Sequence, residues 1–220
     1  MKICCLVIVA VSGSSLGPNR NPEGNNRKDT RRYADLLAMT KKVWKEHGNG
    51  ETFDQRKYWG YGCHCIFPTD RPMSEMGHGQ AVDGIDTICH QWKLCQKCVR
   101  EKQGDECIGE SYKYQWQWKR RTKRVEIISN PGSCERELGE CDRQFAYDLF
   151  AKHDEYEERN NYFFGDFNRH DDDSCPRNPG TSTHDCCGGW NAPYEWFNVD
   201  KQQCCAVGKT GIVKSLNKQC

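Results

Sequence analysis

The sequence predicts a mainly α-helical, disulfide-rich fold that also contains a β-hairpin and ends in a small cysteine-rich module. Three observations favour this class. The chain of 220 residues contains 16 cysteines but only 36% hydrophobic residues, so disulfide bonds must supplement a small apolar core. Three segments, 31–47, 82–102 and 134–158, are predicted to be helices, the first because apolar residues recur in it at helical spacing. Strong alternation over residues 111–128 predicts the hairpin.

The chain opens with the features of a secretory leader. Lys2 precedes the apolar run 3–11, and small residues follow, so residues 1–17 are predicted to be a signal peptide. The apolar run is half the ~20 residues that a membrane-spanning helix needs. Loss of the leader removes Cys4 and Cys5 and reduces the cysteine count from 16 to 14. An even count in a secreted chain predicts a disulfide framework and an extracellular localisation.

Charge and polarity limit the partners and mark the segments between the folded parts. Lys and Arg number 32 against 31 Asp and Glu, so nothing in the net charge demands a nucleic acid, and none is expected as a partner. Residues 18–30 are polar and are predicted to be a flexible mature N-terminus. Residues 166–185 are polar as well, and they are predicted to link the main domain to the terminal module.

The predicted hairpin combines an aromatic face with a basic turn. Aromatic residues alternate with polar ones from Tyr112 to Trp118, which places the aromatic side chains on one side of a strand. A return strand is predicted from Val125 to Ile128. The turn between the strands is basic: Lys119, Arg120, Arg121, Lys123 and Arg124.

Three cysteine motifs carry a resemblance to a known family. They are Tyr61-Gly62-Cys63-His64-Cys65, the run from Asp86 to Cys95, and Cys141-Asp142-Arg143 with Cys134 seven residues before it. In order and spacing these motifs resemble secreted phospholipase A2 over about residues 31–175. The resemblance implies a three-helix phospholipase A2-like scaffold with a β-hairpin, and the corresponding domain is predicted to cover residues 31–165.

The reactive positions of that family hold different residues here. The resemblance places the general-base histidine at Trp92, the calcium-binding aspartate at Lys93, and the aspartate that orients the histidine at Asp142. An indole nitrogen only donates hydrogen bonds, and an ammonium group repels calcium, which needs oxygen ligands. His90 is about 200° around the helix from Trp92, so it is expected to face away and not to replace the base. No catalytic residue, metal or cofactor is therefore predicted.

The calcium-binding loop of the family is also altered. Its two glycines are replaced by Ile66 and Pro68, and His64 lies between the two cysteines that precede them. A β-branched residue and a proline restrict the backbone where the family uses glycine to offer carbonyl oxygens. These three positions are interpreted as a degenerate calcium loop.

The resemblance also implies part of the disulfide pattern. The implied pairs are Cys65–Cys89, Cys95–Cys141 and Cys107–Cys134. Another family pair is lost at both ends, because its positions hold Ile88 and Asp148. The partners of Cys63, Cys98, Cys175 and the tail cysteines stay open at this point.

The terminal module, residues 186–220, has its own pattern. Cys186-Cys187-Gly188-Gly189 is followed by Pro193-Tyr194 and then by Gln203-Cys204-Cys205. This order resembles a galaxin repeat, the di-cysteine unit of invertebrate skeletal matrix proteins, although a generic disulfide knot would explain it too. Cross-bridges between the two di-cysteine pairs are expected within the tail.

The two resemblances imply a secreted, non-catalytic phospholipase A2-like protein of an extracellular or biomineral matrix, with matrix or mineral-associated polymers as partners. The alternative is a membrane-active or receptor-binding toxin-like homologue, in which the basic turn contacts anionic lipid or a sulfated glycan. The turn could also be an ordinary soluble hairpin, and Arg121–Arg124 matches a proprotein-convertase site. An active calcium-dependent phospholipase A2 is the third class, which Trp92 and Lys93 argue against.

Overall fold

The computed structural model describes residues 28–65, 72–75, 77–177 and 182–220. The predicted signal peptide lies outside these ranges, and so do Ile66 and Pro68 of the predicted degenerate calcium loop. Within the described residues, no helix is both long enough and apolar enough to span a bilayer.

Three long helices form the scaffold, as predicted. They are α1 (Lys28–His47), α2 (Gly84–Gln103) and α3 (Cys134–Lys152). Side-chain caps begin the last two: Asp83 accepts a hydrogen bond from the Asp86 amide, and Ser133 accepts one from the Arg136 amide. Helix α1 starts before the predicted boundary at residue 31. Helix α3 ends before residue 158, because the chain tightens into a 3₁₀ turn from His153 to Glu155.

The three helices pack around one apolar core. Helix α3 contacts both α1 and α2, and a disulfide joins Cys95 of α2 to Cys141 of α3, with their Cα atoms 5.8 Å apart. The side chains that fill the core are fully buried; among them are Met39, Val43, Ile85, Val99, Leu138 and Leu149. The scaffold therefore combines apolar burial with covalent cross-links between helices.

The predicted hairpin is present and is shorter than its sequence pattern. Strand β1 (Trp116–Lys119) pairs antiparallel with β2 (Arg124–Ile127). The alternation predicted for the preceding residues holds, since Tyr114 is buried and Gln115 is exposed. Beyond Trp116 the two arms are still joined at Gln115, whose carbonyl accepts from the Ile128 amide at 2.9 Å, while its own amide donates to the Ser129 hydroxyl at 3.0 Å.

The tail folds as two further hairpins. Strand β3 (His184–Gly189) pairs with β4 (Ala192–Asn198), and β5 (Gln202–Val207) pairs with β6 (Thr210–Ser215). Strand β4 packs against α2 and α3, so the tail lies directly on the scaffold.

Seven disulfides cross-link the described residues. They are Cys63–Cys175, Cys65–Cys89, Cys95–Cys141, Cys98–Cys186, Cys107–Cys134, Cys187–Cys204 and Cys205–Cys220. The expectation that the two di-cysteine pairs bridge each other inside the tail holds for Cys187–Cys204 and is wrong for Cys186 and Cys205. Cys186 bonds to Cys98 because β3 lies against the second half of α2, and Cys205 bonds to the terminal Cys220.

The segment predicted as a linker, residues 166–185, is attached to the scaffold at two points. Cys175 is bonded to Cys63. The Arg169 side chain is buried, and its Nη2 donates to the Cys63 carbonyl at 3.0 Å. Although its composition is polar, the first part of this segment is fixed to the scaffold by a disulfide and a buried guanidinium.

Candidate functional site

The centre of the site is a buried carboxylate shared by the two disulfide-linked helices. Asp142 of α3 has no exposed surface. Its Oδ1 accepts a hydrogen bond from the Trp92 indole at 2.7 Å, and its Oδ2 accepts one from the Tyr114 hydroxyl at 2.8 Å. Two neutral donors, one from α2 and one from the segment that precedes β1, thus converge on one carboxylate.

Trp92 is fixed in this position by its surroundings. Its side chain is 2% exposed, and its ring lies 5.1 Å from that of Phe145 on α3. Its nitrogen points at Asp142, and the rest of the indole has no atom that could accept a proton. The Trp92 side chain can therefore orient Asp142 and stabilise the core, but the indole itself offers no proton acceptor.

Lys93, the next residue of α2, is also buried, at 3% exposure. Burial, and to a smaller extent the nearby Arg169 guanidinium, lower the pKa of its amine to about 7, and Asp86 partly opposes both effects. An ammonium group that is easily neutralised therefore occupies the position where the family resemblance places a calcium ligand.

Asp86 ties the start of α2 to the loop that contains Cys63. Its carboxylate accepts hydrogen bonds from the backbone amides of Cys63 at 2.8 Å, His64 at 2.7 Å and Val82 at 3.1 Å. Burial nevertheless raises the pKa of this carboxyl group. Up to Cys65 the loop is thus held by a buried side chain from α2.

Two histidines stack beside Lys93. The rings of His64 and His90 lie 3.9 Å apart and within 10° of parallel, and His64 Nε2 is 3.0 Å from the Gly79 carbonyl oxygen. Burial is the main cause that lowers the pKa of each ring to about 4. Both rings and Lys93 line a cavity of about 520 Å³.

Trp92 lines a different cleft on the other side of α2, between that helix, α3 and the tail. His90 therefore lies on the opposite side of α2 from the Trp92 cleft. The described residues contain no group of three or more His, Cys, Asp or Glu side chains arranged to hold a metal ion.

The basic turn is exposed and is part of a separate surface. Residues 119–124 are all exposed to solvent, and Lys123 adopts a positive φ of 50° at the tip. Lys119 forms an ion pair with Glu126 across the hairpin at 2.9 Å. The remaining basic residues of the turn form no ion pair within the described part of the chain.

Sequence reasoning missed two residues of the site. Tyr114 was predicted only as part of the aromatic face of a strand, yet its hydroxyl completes the hydrogen bonds to Asp142. Arg169 was placed in a linker, yet it lies over the Cys63 loop near Lys93. Neither residue has a local pattern that reveals these contacts, because both partners are distant in sequence.

Comparison with known proteins identifies the scaffold. A family model described as Phospholipase A2 matches residues 36–161. Basic phospholipase A2 homolog LmutTX of Lachesis muta muta is 28% identical over 127 residues, which cover 58% of this chain and 90% of the relative.

Two further relatives are similar over the same part of the chain. Basic phospholipase A2 homolog acutohaemolysin of Deinagkistrodon acutus is 26% identical over 121 residues, covering 55% of this chain and 74% of the relative. Group IID secretory phospholipase A2 of Mus musculus is 29% identical over 129 residues, covering 59% and 78%. The family match ends before the two tail hairpins, so these hairpins are an addition to the matched region. The chain belongs to the phospholipase A2 family.

Proposed function

We propose that this chain is a secreted, non-catalytic phospholipase A2 homologue that acts by binding in an extracellular or biomineral matrix. The main support for a chain without catalytic activity is the hydrogen bond from the Trp92 indole to Asp142. A phospholipase needs a base that accepts a proton from the attacking water, and the group beside Asp142 is a donor.

Lys93 also supports the proposal that the chain is not catalytic. Its buried amine lies beside Asp86 and Arg169 and brings a positive charge, or a neutral amine, to the calcium position. Neither form supplies the several oxygen ligands that calcium requires. Hydrolysis would therefore lack both a base and a Lewis acid.

The proposed binding to a matrix is supported by the tail and by the basic turn. The di-cysteine tail resembles repeats of skeletal matrix proteins, and it is cross-linked to α2 through Cys98–Cys186. The exposed turn concentrates positive charge in a chain whose basic and acidic residues number 32 and 31. A local basic patch on a nearly neutral protein suits a sulfated or phosphorylated polymer of a matrix.

A membrane-active role is the second candidate, and the turn is the observation that favours it. Trp118 lies at the base of the turn, and the Lys42 ammonium is 5.2 Å from its ring. An aromatic ring beside basic residues is a combination that also binds anionic lipid surfaces.

One binding experiment separates the two candidates. Wild-type protein is applied to a heparin column, and in parallel to dye-loaded vesicles of phosphatidylcholine and phosphatidylserine. The matrix proposal predicts retention on heparin that decreases with salt, and no dye release. Dye release by the wild type would favour the membrane-active class and overturn the matrix assignment.

Matched variants locate the contact. Arg120→Gln/Arg121→Gln/Lys123→Gln removes three charges from the turn, and Arg177→Gln/Lys201→Gln/Lys218→Gln removes three from exposed positions elsewhere. The first variant is expected to elute at lower salt than the second. Equal elution of both variants would show that the turn is not the binding surface.

A further inference from the structure

A cleft of about 490 Å³ lies between α2, α3 and the tail. Its floor contains Ile88 and Trp92 of α2 and Phe145 of α3, and its roof contains Trp196 of β4 and Ile212 of β6. This volume and apolar lining are typical of small-molecule sites. Because the tail forms the roof, the cleft is a feature of this chain's extension and not of the matched scaffold alone.

Among the described residues, the charged groups that line the cleft are two carboxylates. Asp148 belongs to α3 and Glu195 to β4, and the described lining contains no Lys, Arg or His side chain. Within the described residues, neither carboxylate has an ion-pair partner; Asp148 accepts a hydrogen bond only from the Gln144 amide, at 2.7 Å. The cleft therefore combines apolar walls with two carboxylates that form no ion pair among the described residues; a cation, the Lys97 ammonium, lies 4.0 Å from the Trp196 ring in its roof.

Burial acts on both carboxyl groups. It raises the pKa of Asp148 and also raises the pKa of Glu195. A raised carboxyl pKa means that the ionised form is less well solvated than in water. A cation entering the cleft would stabilise that ionised form.

The roof is held over the helices by contacts outside the cleft. Cys98–Cys186 joins β3 to α2, and Lys102 forms an ion pair with Asp185 at 3.0 Å. The Trp190 amide donates to Glu137 of α3 at 2.9 Å. These links connect the first tail hairpin to both helices, so the cleft is largely preformed and a ligand would lose little free energy in organising it.

We propose that this cleft binds a small amphipathic cation, an amine with an apolar body and a single ammonium head. The body would lie between Ile88, Phe145 and Trp196, and the head would lie between Asp148 and Glu195. The inference does not rest on the proposed matrix function, because the basic turn and the cleft are different surfaces with opposite charge.

Three probes with the same eight-carbon chain test the charge preference. n-Octylammonium, n-octanoate and n-octanol are titrated separately into the wild-type protein below their aggregation limits, with binding measured by calorimetry. One equivalent of n-octylammonium is expected to bind, and n-octanoate is expected not to bind. Equal affinity for all three probes, or no binding by the ammonium probe, would overturn the proposal.

Variants place the site within the molecule. Asp148→Asn and Glu195→Gln are each expected to weaken n-octylammonium binding about fivefold, as for a partly exposed charge pair. Asp200→Asn removes the same charge from an exposed tail position outside the cleft and is expected to leave the affinity unchanged. If the three variants weaken binding equally, the effect is one of net charge, and the cleft is not the site.

A substitution at the rim gives an independent check. Ile212 is 48% exposed, so Ile212→Lys should fold normally and would place a competing cation beside the carboxylates. It is expected to abolish n-octylammonium binding while the circular dichroism spectrum stays that of the wild type. Unchanged affinity in Ile212→Lys would exclude this cleft.

Discussion

The Trp92 indole donates a hydrogen bond to Asp142 across the interface of the two long helices, at a distance of 2.7 Å. An imidazole in this position could donate one N–H to the aspartate and keep its second nitrogen free to accept a proton. An indole keeps the first contact and has no second nitrogen. On the correspondence that the family resemblance implies, Trp92 would preserve the hydrogen bond that organises the core and would remove the proton acceptor.

The stabilising role of this hydrogen bond can be measured directly. Trp92→Phe retains most of the apolar volume but leaves Asp142 with one donor fewer, and we expect it to lower the free energy of unfolding by about 2 kcal/mol. Tyr114→Phe, which removes the donor to the other oxygen, should have a similar effect. Urea unfolding checks both values.

Trp190→Phe is the matched control for that experiment. Trp190 is 37% exposed, and its indole nitrogen forms no hydrogen bond within the described residues. The Lys209 ammonium lies 4.1 Å from its ring, and a phenyl ring can still face that cation, so the change should be small. If Trp92→Phe were no more destabilising than Trp190→Phe, the buried hydrogen bond would contribute nothing to stability.

The lowered pKa of Lys93 predicts that the free energy of unfolding rises with pH. Its pKa in the folded state is about 7, against an ordinary value of 10.5. Between these values the unfolded chain binds more protons at this residue than the folded chain does, so the contribution of Lys93 to the free energy of unfolding increases as pH rises. Lys93→Met should remove that increase.

The measurement is urea unfolding of the wild type and Lys93→Met at several pH values between 7 and 10. The difference between the two proteins isolates Lys93 from other groups that titrate in the same range. We expect Lys93→Met to be the more stable at pH 7 and the difference to shrink towards pH 10. A difference that does not vary with pH would contradict burial of the charged amine.

The stacked histidines predict lower stability in acid. The pKa of His90 is about 4 in the folded state against 6.5 ordinarily, and its charged form faces His64 and Lys93. The unfolded chain therefore binds more protons at this residue between pH 6.5 and 4, and the free energy of unfolding falls as pH falls through that window. Asp86, which favours the protonated ring, only partly opposes this.

His90→Gln should reduce this acid sensitivity. The substitution removes one titrating ring and the repulsion that it would exert on His64. Unfolding midpoints of the variant and the wild type are measured at pH 6.5, 5.5 and 4.5. The midpoint of the wild type is expected to fall more steeply as pH falls, so the variant becomes more stable relative to the wild type. Parallel curves would show that the stacked pair does not titrate with folding.

Local sequence patterns predicted helix α1 and the hairpin because helical spacing and alternation are short-range features, and the cysteine motifs of the family resemblance marked α2 and α3. They could not predict that Tyr114 reaches Asp142, since that contact joins a hairpin to a helix. The pairing of Cys98 with Cys186 was open for the same reason, because several cysteines were available and only the packing of β3 on α2 selects one. Polar composition placed Arg169 in a linker, whereas its guanidinium is buried and donates to the Cys63 carbonyl.

The bridge between Cys98 and Cys186 predicts how independent the tail is. Cys98→Ser/Cys186→Ser removes a link that closes a loop of 88 residues, and we expect it to lower the free energy of tail opening by about 2–4 kcal/mol. Hydrogen exchange of β4 should then accelerate while that of α2 and α3 stays slow.

The control removes a bridge that does not reach the scaffold. Cys205→Ser/Cys220→Ser opens the last tail disulfide, whose cysteines are 15 residues apart, and it should leave exchange in β4 nearly unchanged. Unfolding of the helices together with the tail in Cys98→Ser/Cys186→Ser would show that tail and scaffold form a single cooperative unit.

The most direct test of the central claim is fatty-acid release from phospholipid mixed micelles, measured with calcium and with chelator. Asp142→Asn, purified in the same way, controls for traces of a contaminating lipase, and an active secreted phospholipase A2 serves as the positive control. We predict that the wild type releases no fatty acid above the buffer blank in either condition. Calcium-dependent release by the wild type that Asp142→Asn abolishes would contradict the account, because it would show that the chain catalyses hydrolysis with Trp92 in place of the base.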